Sequence, residues 1–168
     1  LLPDVALHCT SGFKDEGDMV YLLGPQDANG SLAGSEYLEL EHGLVAGRPA
    51  IDLDMERRVQ RLCRRAVGQG LVKSAHDCSD GGLAVALAEC CVQGGIGLTA
   101  DIAVSGRRDA ALFGEQQSRI MVSVHPRDVA ALEALAARER VPLAKLGEVG
   151  GHSLRIDRYL DCTLADIE

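Results

Sequence analysis

Short apolar runs alternate with longer amphipathic stretches along the chain, and the period of each predicts an element. Met19 to Leu23 is a continuous apolar run closed by Gly24-Pro25, which predicts a strand and its turn. The following stretch, "PQDANGSLAGSEYLELEHG", holds Asn29-Gly30 and Gly34-Ser35 and predicts a long loop before a helix-capable piece at Glu36 to Glu41. From Asp54 the spacing turns helical. Met55, Val59, Leu62, Cys63, Ala66 and Val67 share one face, with Arg57, Arg58, Arg61 and Arg64 largely opposite. Asp52 or Asp54 is the expected cap, and Gly68 and Gly70 the expected end. Leu71 to His76 predicts a strand, Leu83 to Val92 a helix stopped by Gly94-Gly95, and Ile96 to Ile102 a strand, together one strand-helix-strand unit. The rhythm then repeats with a short helix at Asp109 to Leu112, a strand at Arg119 to Val124, a helix after Pro126 and a strand at Leu143 to Val149. Pro126 in the first turn and the Val129, Leu132, Leu135, Ala136 stripe support that last helix. This alternation predicts an α+β fold, a mixed α/β sandwich in which helices cover a mixed sheet.

Composition narrows the function classes. With 168 residues, 46% of them hydrophobic, the chain has the size of one domain, 1–168, with room for a substantial core. The net charge is −8, and the Lys and Arg residues form no patch interleaved with aromatics, so neither nucleic acid nor an anionic membrane is expected as a partner. Six cysteines accompany a large core and no apolar leader, which predicts buried thiols in a reducing cytoplasm. No Cys-x-x-Cys pair appears, and His76 with Cys78 lacks the second pair that structural zinc needs. Cys90 and Cys91 point in different directions on a helix and read as small buried hydrophobes. The chain opens Leu1-Leu2-Pro3 and reaches a strand pattern only near Asp18, which reads as a domain excised from a longer polypeptide.

The candidate chemistry lies in "SAHDCSDGGLAVALAE", Ser74 to Glu89, where a strand turns into an apolar helix through two acids and two glycines. Unpaired backbone N–H groups at such a helix start, together with the helix dipole, can hold a phosphate. Gly81 and Gly82 would let the backbone approach a ligand. Equally, Ser79 or Asp80 can serve simply as the N-cap while the glycines make the turn. Asp77 and Asp80 would repel a phosphate unless Mg²⁺ bridges them.

The segment "VKSAHDCSDGGLAVALAECC" resembles the last domain of the phosphoribosylformylglycinamidine synthase family. "FKDEGDMVYLLG", "AGSEYLEL" and "LFGEQQSRIMVSV" agree in the same order, from Phe13 to about Val149. "GSEYL" is similar to the smaller, multi-subunit form of the enzyme, in which a glutaminase and a small accessory protein are separate subunits. The resemblance implies the aminoimidazole-ribonucleotide synthetase superfamily, whose members pair a nucleotide-binding N-terminal domain with a C-terminal α/β domain. That pair occurs twice in the synthase, and this chain resembles the second C-terminal domain.

The implied reaction joins formylglycinamide ribonucleotide to glutamine-derived ammonia with ATP and Mg²⁺, in purine biosynthesis. The implied partners are the N-terminal domains of the same enzyme, the glutaminase, the accessory subunit and the small ribonucleotide. The isolated domain is expected to be catalytically silent, with no catalytic residue of its own and with self-association through the uncovered surface as one expectation. By internal pseudo-symmetry the family's phosphate and metal contacts map onto His76, Asp101 and Glu115-Gln116-Gln117. His76 stands where the first copy resembles a Gln, and Gln116 where Ser is expected, departures consistent with a second site that is structural, nucleotide-holding or decayed.

From the turn and the resemblance together, the candidate phosphate or nucleotide contacts are Ser79, Asp80, Gly81, Gly82, His76, Glu115 and Gln117, and the candidate metal ligands Asp77 and Asp101. Beside each stands a plainer reading. His76 would be a satisfied strand-end histidine, Glu115 an i,i+4 surface partner of Arg119 if that stretch is helical, and Ser35 with Glu36 the cap and start of a helix. Three roles therefore remain open: a Mg-nucleotide site at the turn, a structural half of an active site formed elsewhere, or a domain of another ATP-dependent synthetase of the superfamily.

Overall fold

The first strand is buried along almost its whole length. In the computed structural model, which describes residues 4–26, 31–104 and 106–167, β1 (Met19–Leu23) lies inside a seven-stranded sheet with both faces covered. A strand buried on both faces reads as an unbroken apolar run, as "MVYLL" does. Val20 and Leu22 enter one hydrophobic core, whereas Met19, Tyr21 and Leu23 enter the other.

The remaining elements build outward from it. In chain order they are α1 (Glu36–His42), α2 (Leu53–Gly68), β2 (Ser74–Asp77), α3 (Gly82–Gly94), β3 (Leu98–Ala100), α4 (Arg108–Phe113), β4 (Ile120–Val124), α5 (Val129–Glu139), β5 (Leu143–Val149), β6 (Ser153–Ile156), β7 (Leu160–Thr163) and α6 (Leu164–Ile167). The strand order is β2-β4-β1-β5-β3-β6-β7, with every neighbouring pair antiparallel except β3 and β6. Side chains of α3, α4 and α6 share a core with one face, while α2 and α5 cover the other over β2, β4 and β1. The expected mixed sandwich is what forms.

Local chemistry explains the helix limits. Asp52 caps α2 by accepting from the N–H groups of Asp54 at 2.9 Å and Met55 at 3.1 Å, which decides between the two expected caps. A 3₁₀ turn at Pro126–Asp128 leads into α5. The α2 and α5 helices are clasped by Glu139, whose side chain is only 5% exposed and which pairs with Arg65 and, at 3.5 Å, with Arg61. α3 differs from both, with seven buried residues and apolar positions on nearly all sides, because α4 and α6 cover it from outside the sheet.

Two expectations need correction. The segment from 71 to 102 does contain strand, helix and strand, but β2 and β3 do not pair: β4, β1 and β5 lie between them. The strands themselves are shorter than predicted, because Leu71, Val72 and Ile96 pack on the cores from outside the ladder. The hairpin of β6 and β7 and the closing α6 were not foreseen. Their burial alternates over only four residues per strand, too short for a sequence period to show. The Asn29-Gly30 turn and the Leu1-Leu2-Pro3 start lie outside the described residues.

Leu87 is fully buried at the centre of α3. Leu87→Ala is expected to lower unfolding free energy by about 2–5 kcal/mol, measured by urea denaturation, because the rigid sheet beneath cannot collapse into the cavity.

Candidate functional site: the strand-to-helix turn

β2 ends at Asp77 and α3 begins at Gly82, so the turn between them is four residues, Cys78 to Gly81. Cys78 closes the strand by donating its N–H to the Arg119 carbonyl at 3.0 Å. Ser79 donates its hydroxyl to the Asp77 carboxylate and accepts at its carbonyl from the Gly82 N–H at 3.0 Å. Gly81 is then the N-cap residue of α3, in the left-handed region at φ 76°, and has no side chain to cap with. Neither Ser79 nor Asp80 caps the helix, contrary to expectation.

The cap comes from a segment distant in sequence. Oε1 of Glu115, in the loop between α4 and β4, accepts from the Gly81 N–H at 2.8 Å and from the Glu36 N–H at 2.8 Å. One carboxylate oxygen therefore satisfies orphan donors at the starts of both α3 and α1, where helix dipoles favour negative charge. The stretch from Gly114 to Arg119 is not helical, so the helical spacing expected for Glu115 and Arg119 is not what the structure holds. Arg119 is instead buried at 3% exposure. Ser35 caps α1 as expected, accepting from the Leu38 N–H at 3.3 Å.

The glycines serve the same loop. A Cβ on Gly82, whose φ is 70°, would stand 2.8 Å from the Gly114 carbonyl oxygen and 2.8 Å from the Phe113 carbonyl carbon. Close approach to Gly82 is thus made by the protein's own backbone, and it is this approach that places Glu115 over the helix start.

A cleft of about 470 Å³ opens beside the turn, lined by Asp77, Cys78, Ser79 and Asp80, by Glu115 through Ile120, and by Glu56 and Gln60 of α2. Four carboxylates border it, from Glu56, Asp77, Asp80 and Glu115, against the single guanidinium of Arg119, so the cleft is acidic on balance. Gln116 Oε1 and Ser118 Oγ are buried there without a hydrogen-bond partner among the described residues, and Ser118 holds a left-handed φ of 64°. Gln117 is exposed at the rim.

The other sequence candidates fall elsewhere. His76 turns towards α3, its Nε2 3.1 Å from Glu89 and its Nδ1 2.7 Å from the Asp77 carbonyl, and it does not line the cleft. Asp101 lies after β3 in a separate cavity of about 730 Å³ with Lys145, Glu148, Arg155 and Asp157, three strands away from the turn. The structure therefore brings together Asp77, Ser79, Asp80, Gly81, Gly82, Glu115 and Gln117 but not His76 or Asp101. Glu56, Gln60 and Ser118 were missed; the first two are an exposed i,i+4 pair on α2, which carries no sequence signal for the cleft.

Among the described residues, no group of three or more His, Cys, Asp or Glu is arranged to hold a metal ion. The cysteines are all free thiols. Burial pushes the thiols of Cys63 and Cys78 up to about 11 and that of Cys91 up to about 12, and raises Cys90 further still. Such thiols are un-ionised and unreactive at neutral pH, in line with packing roles.

Comparison with known proteins places this geometry. The family model described as AIR synthase related protein, C-terminal domain, matches residues 15–157. The chain is 47% identical to the phosphoribosylformylglycinamidine synthase subunit PurL of Anaeromyxobacter sp. (strain Fw109-5), across 99% of this chain and 23% of that protein. It is 54% identical to the same-named subunit of Synechococcus sp. (strain JA-2-3B'a(2-13)), across 89% of this chain and 20% of that one. The chain thus spans about a fifth to a quarter of these relatives. In structure it is similar to T. maritima PurL complexed with ATP, at a TM-score of 0.76 and 16% identity, covering 97% of this chain and 27% of that one, a likeness of fold.

Glu115→Ala is expected to cost about 1–3 kcal/mol in urea denaturation, since two helix-start donors lose their acceptor, while Glu115→Gln, which keeps an acceptor oxygen, recovers most of that loss. Maleimide labelling of the native protein at pH 7 should leave Cys78, Cys90 and Cys91 unmodified, and labelling in urea should reach all three.

Proposed function

The chain belongs to the AIR synthase related protein, C-terminal domain family, and from that premise we propose that it is one domain of a longer carbon–nitrogen ligase acting in purine biosynthesis. The whole enzyme would convert formylglycinamide ribonucleotide and glutamine-derived ammonia to the amidine at the expense of ATP. Identity of about half the residues to two PurL subunits supports this reading. Its partners would be the N-terminal domains of the same polypeptide, a glutaminase and a small accessory subunit. The setting would be cytoplasmic; among the described residues, no helix is long and apolar enough to cross a membrane.

Within that enzyme this domain would act as a structural half rather than as the seat of chemistry. The carrying observation is that Glu115 Oε1 already accepts from Gly81 and Glu36 N–H, the donors an incoming phosphate would use. An anion at the turn would have to displace a carboxylate held by two hydrogen bonds and face three more acids.

A second reading is favoured by the cleft itself. The strained Ser118 and the buried, unpartnered Gln116 Oε1 and Ser118 Oγ are what a polar ligand would satisfy. Mg²⁺ fits this cleft in part: Asp77 and Asp80 supply hard oxygen ligands, and Mg²⁺ is commonly held by one or two carboxylates plus phosphates and water. When bound it would neutralise phosphate charge. Asp101 would take no part, because it lies in the other cavity.

Calorimetric titration of the intact polypeptide with Mg·ATP separates the two. The structural reading expects Asp80→Asn to retain wild-type nucleotide affinity and amidine formation. A tenfold or greater loss of affinity in Asp80→Asn, with unfolding unchanged, would overturn it in favour of the auxiliary nucleotide site.

A further inference from the structure

The residues Phe113, Gly114 and Glu115 touch two distant elements at once. Towards the strand-to-helix turn, Glu115 Oε1 accepts from the Gly81 N–H, and the backbone of Phe113 and Gly114 lies so close to Gly82 that a Cβ there would stand 2.8 Å from each. Towards α1, the same Oε1 accepts from the N–H of Glu36, the first residue of that helix. The Phe113 ring stacks on Tyr37 of α1, with centroids 5.0 Å apart and planes 10° from parallel. Gly114 packs against the segment just ahead of α1, where a Cβ would come within 2.8 Å of the Ser31 carbonyl oxygen.

α1 cannot hold itself in place. It has seven residues and none is buried; Tyr37 and Leu38 are half-buried and the others exposed. Isolated helices shorter than about 12 residues are marginal in water. Ser35 shapes the helix start through Leu32 and Leu38, but those bonds stay within the segment. The anchorage at Phe113 and Glu115 is therefore what ties the helix to the domain. That anchorage is shared, because one carboxylate oxygen serves both helix starts and is fixed best while both donors are in place.

We infer that the 113–115 loop is a coupling element, which makes the attachment of α1 and the closed state of the turn conditional on each other. With α1 seated, Tyr37 steadies Phe113 and the Glu115 carboxylate stays on Gly81. With α1 lifted, the carboxylate is held at one end only and the Gly81 donor opens. Such coupling is reciprocal: an occupant of the acidic cleft that draws Glu115 off the turn loosens α1, and whatever steadies α1 closes the turn to that occupant by the same factor. The coupling does not depend on which reading of the cleft holds, because both of its ends are the domain's own residues.

Hydrogen exchange of the intact polypeptide, followed by mass spectrometry, tests this. Tyr37→Ala, a change made on α1, is expected to speed exchange in the peptide covering 78–82 by about three- to tenfold, the size of effect that a ring stack supplies. The amides of β1 and β4 should stay as slow as before. Tyr37→Phe keeps the ring and should leave 78–82 at the wild-type rate. In a Glu115→Ala background Tyr37→Ala should add nothing at 78–82, whereas with Glu115→Gln, which keeps an acceptor oxygen, the effect should persist. Unchanged exchange at 78–82 in Tyr37→Ala would overturn the coupling, as would equal acceleration with and without the Glu115 side chain. Acceleration that extends to β1 and β4 would also overturn it, since that is a general loss of stability. Amidine formation plays no part in this readout, so failure of the enzymatic reading and failure of the coupling are distinguishable.

Discussion

Burial of β1 on both faces is the constraint from which the rest follows. A strand with core on each side must be paired along both edges, and its partners here, β4 and β5, lie about a hundred residues or more downstream. Their arrival divides the apolar side chains into two sets by strand alternation, and each set needs its own helical cover. That requirement makes α3 apolar on nearly all sides, since it is sandwiched between the sheet and the outer α4 and α6, while α2 and α5 retain a polar face and are joined through the buried Glu139.

The turn before α3 obeys the same crowding. Glycine at 82 is required by the chain's own backbone at Phe113 and Gly114, and this contact delivers the Glu115 carboxylate to two helix starts at once. A feature shaped to receive an anion thus receives one from within the protein. Replacing a ligand's phosphate by a tethered carboxylate exchanges a binding site for a structural joint, because the tether removes the entropy cost of bringing the anion in. The acidic cleft alongside keeps polar atoms without partners, so the same few residues combine a satisfied joint with an unsatisfied recess.

The joint also ties the start of α1 to the turn, since α1 shares the Glu115 oxygen with α3. Leu40, Leu44, Val45, Ile51 and Leu53 are exposed between residues 39 and 54, whereas Cys78, Cys90, Cys91 and the Val20–Leu23 run of β1 are buried. The cavity along β5, β3 and β6 carries the charged side chains Lys145, Glu148 and Arg155.

The sequence by itself determined the elements whose period is long or whose run is unbroken: β1, α2, α3, β4, α5 and β5, with the Asp52 and Ser35 caps among its options and the family through its four ordered motifs. These rest on contacts between near neighbours, which spacing records. Only the tertiary structure decided the order of the strands, the separation of β2 from β3, and the hairpin of β6 and β7, because pairing between distant segments leaves no local period. It also decided the site. Nothing in "DCSDGG" or "FGEQQSR" alone states that Glu115 caps Gly81 thirty-four residues away, that His76 turns to Glu89, or that Asp101 lies in another cavity. Hydrogen-bond partners at such distances are chosen by how the sheet brings loops together, and that choice belongs to packing rather than to sequence spacing.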